Sequence, residues 1–377
     1  MPGFEVTEEK TSCHIAPWLL LNRQKNTTGK TNMKKQAVVA GFVLFSFILP
    51  TKASAASFDQ LYVFGDSLSD TGNIYNLTGK GYPPNPPYFE GRFSDGPNWV
   101  DYFGDQLGLK PTLFTTIPST PPTQGINFAI GGASSGLGNA VLPDSGLPGV
   151  LKQVLDFAET LKANNQTANP DALYTLWGGA NDLLFANSPN SSKNPISNIS
   201  LALNTLIGAG AKNILVFNLP DLGQLPAAKT NGRNPILLSK SSSEFDLGLA
   251  NTVSALNQNP NLNIVSVDIY SLFNQASALG FTNVTESCLS RPDICDPGNN
   301  KFLIWDGVHP TTAAHKVIAD TALAAIEAKS VPEPSINLGI LALGAFGAVG
   351  VLKRQQKRSA LVLAGRVVDA QLSHNNS

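Results

Sequence analysis

Leu61-Tyr62-Val63-Phe64-Gly65-Asp66-Ser67-Leu68-Ser69-Asp70-Thr71-Gly72-Asn73 runs from an unbroken apolar segment into a polar, glycine-punctuated turn. A short, continuously apolar segment of this kind is the pattern of a strand covered on both faces. Ser67 therefore lies just past the carboxyl end of a buried strand, on the rim where open α/β sheets bind ligands. Four further runs have the same character: Ile126–Ile130, Leu173–Trp177, Ile214–Asn218 and Ile264–Asp268. Helical periodicity lies between most of them, over Gly149–Asn164, Pro195–Ala209, Ser241–Gln258 and Thr311–Ala328. This alternation predicts the α/β class: one three-layer α/β/α sandwich around a five-stranded parallel sheet, occupying residues 56–330. Residues 78–124 depart from the alternation, being crowded with Pro, Gly and aromatic residues, with a short helix expected near Val100–Leu107. A loop that long on such a scaffold is expected to carry a substrate wall or to act as a rigid cover.

Of the 377 residues 42 % are hydrophobic, ample for a sizeable core, and only 14 % are charged, against about 25 % in ordinary soluble domains. The formal net charge of -1 argues against nucleic acid as a partner.

Both ends read as processing segments. Met33-Lys34-Lys35-Gln36, an apolar run from Ala37 to Pro50, and Thr51-Lys52-Ala53-Ser54-Ala55 have the anatomy of a secretory signal peptide over residues 33–55. Translation is then expected to start at Met33, with residues 1–32 a mis-assigned start or a disordered extension and cleavage after Ala55. The other reading is a signal anchor with a cytoplasmic extension. At the far end, Val331-Pro332-Glu333-Pro334 precedes an apolar run over 336–352 and a basic cluster, Lys353 to Arg358. This run is barely long enough to cross a bilayer, and the flanking charges would hold that side in the cytoplasm. A tail, 359–377, follows. Cys13 precedes the signal peptide, which leaves Cys288 and Cys295. In an oxidising compartment they are expected to close their short loop as a disulfide, and two thiols with no histidine nearby make a poor metal site.

A serine nucleophile needs a base, an orienting group for that base and donors for the oxyanion. Of the four histidines, His14 and His374 lie outside the domain. His309, in Trp305-Asp306-Gly307-Val308-His309-Pro310, directly precedes the last helix, whereas His315 falls inside it and is expected to pack or face solvent. Asp306, three residues before His309, can turn its carboxylate onto the imidazole. Asn127-Phe128-Ala129-Ile130-Gly131-Gly132-Ala133 ends a strand in glycines whose N–H groups can approach a substrate. Trp177-Gly178-Gly179-Ala180-Asn181-Asp182 ends another with a side-chain amide. A competing nucleophile, Ser134, lies in Gly132-Ala133-Ser134-Ser135-Gly136, which matches the G-x-S-x-G elbow. The residues after Ser134 make a poor helix, though, and an elbow requires one.

The Gly65-Asp66-Ser67-Leu68 block, the Gly131 block, Gly179-Ala180-Asn181-Asp182 and Asp306-Gly307-Val308-His309 together resemble, in order, the four blocks of the GDSL or SGNH hydrolase superfamily. Tyr88, Gly91-Arg92-Phe93-Ser94-Asp95-Gly96 and Val100-Asp101 further resemble the branch with plant GDSL esterase/lipases and bacterial extracellular lipases and acyltransferases. The resemblance implies a flavodoxin-like fold and no metal or organic cofactor. It implies Ser67 as nucleophile, His309 as base and Asp306 as its orienting group. The implied oxyanion hole comprises the N–H groups of Ser67 and Gly131 and the side chain of Asn181. The C-terminal end resembles a PEP-CTERM sorting signal (331–358), although Ser359–Ser377 continue past the usual stop. That implies export, processing by an exosortase-type protease at the inner membrane, and a periplasmic, cell-surface or extracellular destination. A plain C-terminal anchor is the simpler reading. The expected activity is ester hydrolysis on a lipid or acylated glycan. Acyl transfer, polysaccharide O-deacetylation and a non-catalytic surface or matrix binding protein are the alternatives.

Overall fold

The side chains of each apolar run sort alternately onto the two faces of one sheet. Tyr62 and Phe64 pack with Tyr174, Leu176, Ile214, Val216 and Ile264, while Leu61 and Val63 pack with Leu173, Leu215, Phe217, Val265 and Val267. Strands so covered on both faces need a helical layer on each side. The computed structural model describes residues 57–230, 232–296 and 301–330. The chain divides into Met1–Lys52, which lies outside the described residues, and Ala53–Ser377, which holds all of them. The extension 1–32, the signal peptide 33–55, the sorting signal 331–358 with its apolar run 336–352, and the tail 359–377 also lie outside them. Among the described residues no helix is long and apolar enough to cross a membrane.

In chain order the elements are β1 (Leu61–Gly65), α1 (Asn73–Leu77), α2 (Trp99–Leu107), β2 (Thr112–Leu113), β3 (Ile126–Asn127), α3 (Val150–Ala163), β4 (Leu173–Trp177) and α4 (Ala180–Leu184). The second half comprises α5 (Pro195–Ala209), β5 (Asn213–Phe217), α6 (Pro235–Leu256), β6 (Asn263–Val267), α7 (Ile269–Asn274), β7 (Asn283–Ser287), β8 (Phe302–Ile304) and α8 (Thr312–Ser330). The main sheet is parallel, in the order β2-β3-β1-β4-β5-β6. It is in register from Leu61 opposite Leu173 to Asn213 opposite Asn263. Helices α3, α5 and α6 cover one face through Val154, Leu203 and Phe245; α2 and α8 cover the other through Phe103 and Ile318. The chain turns from β3 back across β1 to β4, so the carboxyl end of β1 lies at the switch point, flanked by those of β3 and β4.

Among the described residues the main sheet has six strands where five were expected. The additional one, β2, is two residues long, too short for side-chain periodicity to report. Backbone bonds define it, among them Thr112 N–H to Gly125 O at 3.0 Å. Helix α6 begins at Pro235, earlier than the expected Ser241. Its first turn is set by Pro235 and by the Asn234 side chain, which accepts from Leu237 N–H. Ile236 and Leu237 there are 82 % and 58 % exposed, so no buried face marks the start. Strands β7 and β8 form a separate parallel pair. Next to it the structure joins Cys288 and Cys295 in a disulfide.

Candidate active site

Three strand ends and one loop converge on Ser67. Gly65 closes β1, and a Cβ there would fall 2.9 Å from Trp177 O and 3.0 Å from Ser69. Only glycine lets β1 and β4 approach so closely before the turn. Gln153 of α3 holds this peptide from both sides, accepting from Gly65 N–H (3.0 Å) and donating to Gly65 O (2.9 Å). Beyond it, Asp66 accepts from Leu68 N–H through its side chain and from Ser69 and Asp70 N–H through its carbonyl. The turn is thereby rigid, with Ser67 at its apex, 7 % exposed.

The Ser67 hydroxyl donates to His309 Nε2 at 2.7 Å, and His309 Nδ1 lies 2.7 Å from Asp306 Oδ2. In the tautomer that satisfies both contacts, Nδ1 carries the proton and Nε2 is the acceptor. The loop holding the imidazole is closed on itself. Trp305 N–H donates to His309 O, and the N–H groups of Val308 and His309 donate to Asp306 Oδ1 at 2.9 and 3.0 Å. It is also gripped from outside by Ser94-Asp95-Gly96-Pro97. Ser94 Oγ donates to Pro310 O, Thr312 N–H to Asp95 Oδ1, and the Thr312 hydroxyl to Pro97 O. Gly96 is required here, since a Cβ would stand 2.7 Å from Thr312 Oγ1.

The electrostatics follow from this geometry. Burial alone would raise the Asp306 carboxyl, but the facing His309 and the hydrogen bonds from His309 and Val308 hold it well below the usual carboxylate range. Burial would lower the His309 imidazole, yet the Asp306 charge and hydrogen bond outweigh it and raise the pKa. Asp66 is pushed up to about 6 by burial, against the Leu68 N–H and the His309 imidazole.

Asn181 sits in the first turn of α4, its Nδ2 donating to Ala133 O at 2.9 Å and lying 3.5 Å from Asp66 Oδ2. The Gly131 expectation needs correcting in one respect: its N–H is not free but donates to Asp70 Oδ2 at 2.9 Å. Asp70 is a buried carboxylate that also accepts from the N–H groups of Gly72, Asn73 and Ile74, and it draws the β3 turn onto the β1 turn. The next N–H groups available, those of Gly132 and Ser67, have no acceptor among the described residues. Gly131 remains indispensable for another reason, because a Cβ would strike Phe93 at 2.5 Å. Phe93 in turn packs against the His309 ring, 5.0 Å between centroids.

Among the described residues Ser134 has no imidazole partner. Its buried hydroxyl donates to Gly138 O at 2.7 Å, so the G-x-S-x-G match is structural. His315 is buried on α8, lowered to about 3 by burial. Sequence reasoning passed over Asp70, Asn73 and Asn127, which stitch the turns together. Asn73 Nδ2 donates to the carbonyls of Asn127 and Ala129, and Asn127 Nδ2 to Ser69 O. Their apolar surroundings were a signal: three polar residues beside strands that have no solvent face must bond to backbone. Among the described residues no cluster of His, Cys, Asp and Glu could hold a metal ion.

Residues 61–322 match the family model GDSL-like lipase/acylhydrolase, and 330–355 match the PEP-CTERM protein-sorting motif. A phosphatidylcholine-sterol acyltransferase of Aeromonas hydrophila is 37 % identical over 180 residues, 47 % of this chain and 49 % of that protein. A thermolabile hemolysin of Vibrio parahaemolyticus is 29 % identical, over 70 % of this chain and 63 % of that protein. The chain thus spans only about half to two thirds of the length of these two relatives. A GDSL esterase/lipase of Arabidopsis thaliana is 30 % identical, over 70 % of this chain and 88 % of that protein. With its model matched over most of the chain, the protein belongs to the GDSL-like lipase/acylhydrolase family.

Proposed function

We propose that the protein is an exported serine ester hydrolase that works through an acyl-enzyme on Ser67. The observation that carries this is the relay from Ser67 Oγ through His309 to Asp306, two contacts of 2.7 Å closed across 242 positions of chain. Ser67 Oγ attacks the ester carbonyl as His309 Nε2 takes the hydroxyl proton. Asp306 holds the tautomer and balances the imidazolium. The oxyanion is met by Ser67 N–H, by the Gly131–Gly132 turn through Gly132 N–H, and by the Asn181 amide, which turns from its long contact with Asp66. Collapse of the tetrahedral intermediate expels the alkoxide, which leaves with the proton from His309. Water, deprotonated by the same imidazole, then attacks the acyl-enzyme and frees the acid and Ser67. The full chain is expected to hydrolyse short acyl esters and to be labelled at Ser67 by an organophosphonate. Ser67→Ala should lose both, with turnover down by at least about a thousandfold. Undiminished turnover in that variant refutes the assignment.

A second reading is acyl transfer, favoured by the likeness to an acyltransferase; an acceptor alcohol would then replace water in the second step. Release of acetate from acetylated glycan, compared with hydrolysis of longer esters, separates deacetylation of a polysaccharide from lipase action. The sorting motif supports export and exosortase-type processing.

A further inference from the structure

Asp306 Oδ2 receives a second donor besides the imidazole: the phenol of Tyr88, at 2.8 Å. With Val308 and His309 N–H on Oδ1, the carboxylate has a donor for each of its lone-pair sites. Packing alone does not explain the hydroxyl. The Tyr88 ring packs against the cluster of Cys288, Phe302 and Trp305 and lies edge-on to Phe93 at 6.1 Å, all contacts a phenylalanine would make equally well. What the oxygen adds is one charge-assisted hydrogen bond, placed on the very oxygen that faces His309. We propose that Tyr88 is a positioning residue of the Ser67–His309–Asp306 site, whose O–H fixes the carboxylate and sets the basicity of His309.

The inference rests on the reading of Ser67 as nucleophile. Two donors share Oδ2, so charge drawn toward the phenol is unavailable to the imidazolium. Burial and the Asp306 charge raise the phenol's own pKa, so it stays a donor throughout the range in which His309 titrates. The other titratable groups acting on this pair are Asp66 on the β1 turn and His315 on α8, toward His309, and Tyr82 in the same loop, toward Asp306. None of them touches Oδ2.

The test is the pH profile of kcat/KM of the full chain on a short acyl ester. Tyr88→Phe keeps the ring and removes the donor. The imidazolium should then be better stabilised, and the acid limb should move upward by about half a unit. Site-specific 3-fluorotyrosine at position 88, a stronger donor, should move it downward, and this decides the matter even if Tyr88→Phe does not fold. A limb that stays put in both proteins, whatever happens to the plateau, reduces Tyr88 to packing and overturns the inference. Ser67→Ala runs in the same assay. If it still turns over ester, the nucleophile reading fails and the inference falls with it. If it is dead while the limb stays put, only the role of Tyr88 is lost.

Discussion

In the proposed mechanism Asp306 turns an ordinary surface-type pair, Asp-x-x-His, into a base of fixed orientation. It does so by accepting backbone N–H groups on one oxygen and side-chain donors on the other. Replacing it by Asn keeps the shape but offers Nδ1 either an N–H or a weaker acceptor, and the neutral amide no longer balances the imidazolium. Asp306→Asn is expected to lower kcat by about three to four orders of magnitude with KM for a short ester little changed. A kcat within tenfold of the parent would show that His309 needs no orienting group. At this scale the sequence was generous. Ser67, His309 and Asp306, proposed there from side-chain chemistry and the scarcity of histidines, lie within hydrogen-bond reach of one another. The state of the Gly131 N–H was not readable, since a backbone donor carries no side-chain identity and its acceptor, Asp70, is 61 positions away.

The turn after β1 and the turn after β3 are separate elements held together by the Asp70 carboxylate and by the amides of Asn73 and Asn127. Asp70 accepts N–H groups from Gly72, Asn73, Ile74 and Gly131, and Asn98 Nδ2 ties α2 to the Asp70 carbonyl. Removing the acceptor strands several buried donors at once. Asp70→Ala is therefore expected to cost about 3–5 kcal/mol of folding stability, measured by urea denaturation. A loss below about 1 kcal/mol would mean that water replaces the carboxylate. The elements themselves were legible wherever side chains alternate between two apolar layers, as in β1, β4, β5 and β6. They were not legible where backbone alone makes the structure (β2), nor where the first helical turn faces solvent (α6). The segment 78–124 reads as irregular and is so in large part. Its purpose emerges only in three dimensions, where Ser94 and Asp95 clasp the His309 loop.

The whole domain carries several carboxyl groups that folding makes less acidic. Burial pushes Asp246 up to about 7, opposed by Leu219 N–H, and Asp66 up to about 6. The folded state then binds protons that the unfolded chain has already released, so stability falls as pH rises through that window. His309, raised, acts in the same sense: its contribution is complete below its ordinary value and is lost as pH climbs through the folded one. Asp306, lowered, acts in the opposite sense only as pH falls through the acid range, whereas His315, lowered by burial, opposes the trend as soon as pH falls below its ordinary value, one group against several. Thermal unfolding at constant ionic strength should give a higher Tm near about pH 5 than near about pH 8; the reverse order would contradict these assignments. The separation of the reactive groups has a consequence during synthesis. A ribosome delivers Ser67 early, whereas His309 follows 242 positions later, just ahead of the closing helix α8, which is fastened to α2 through Gln106–Asp320 and Tyr102–Thr312. On the proposed assignment, a nascent chain stalled before them would hold the Ser67 hydroxyl without its base, and ester hydrolysis would await the docking of that loop and helix.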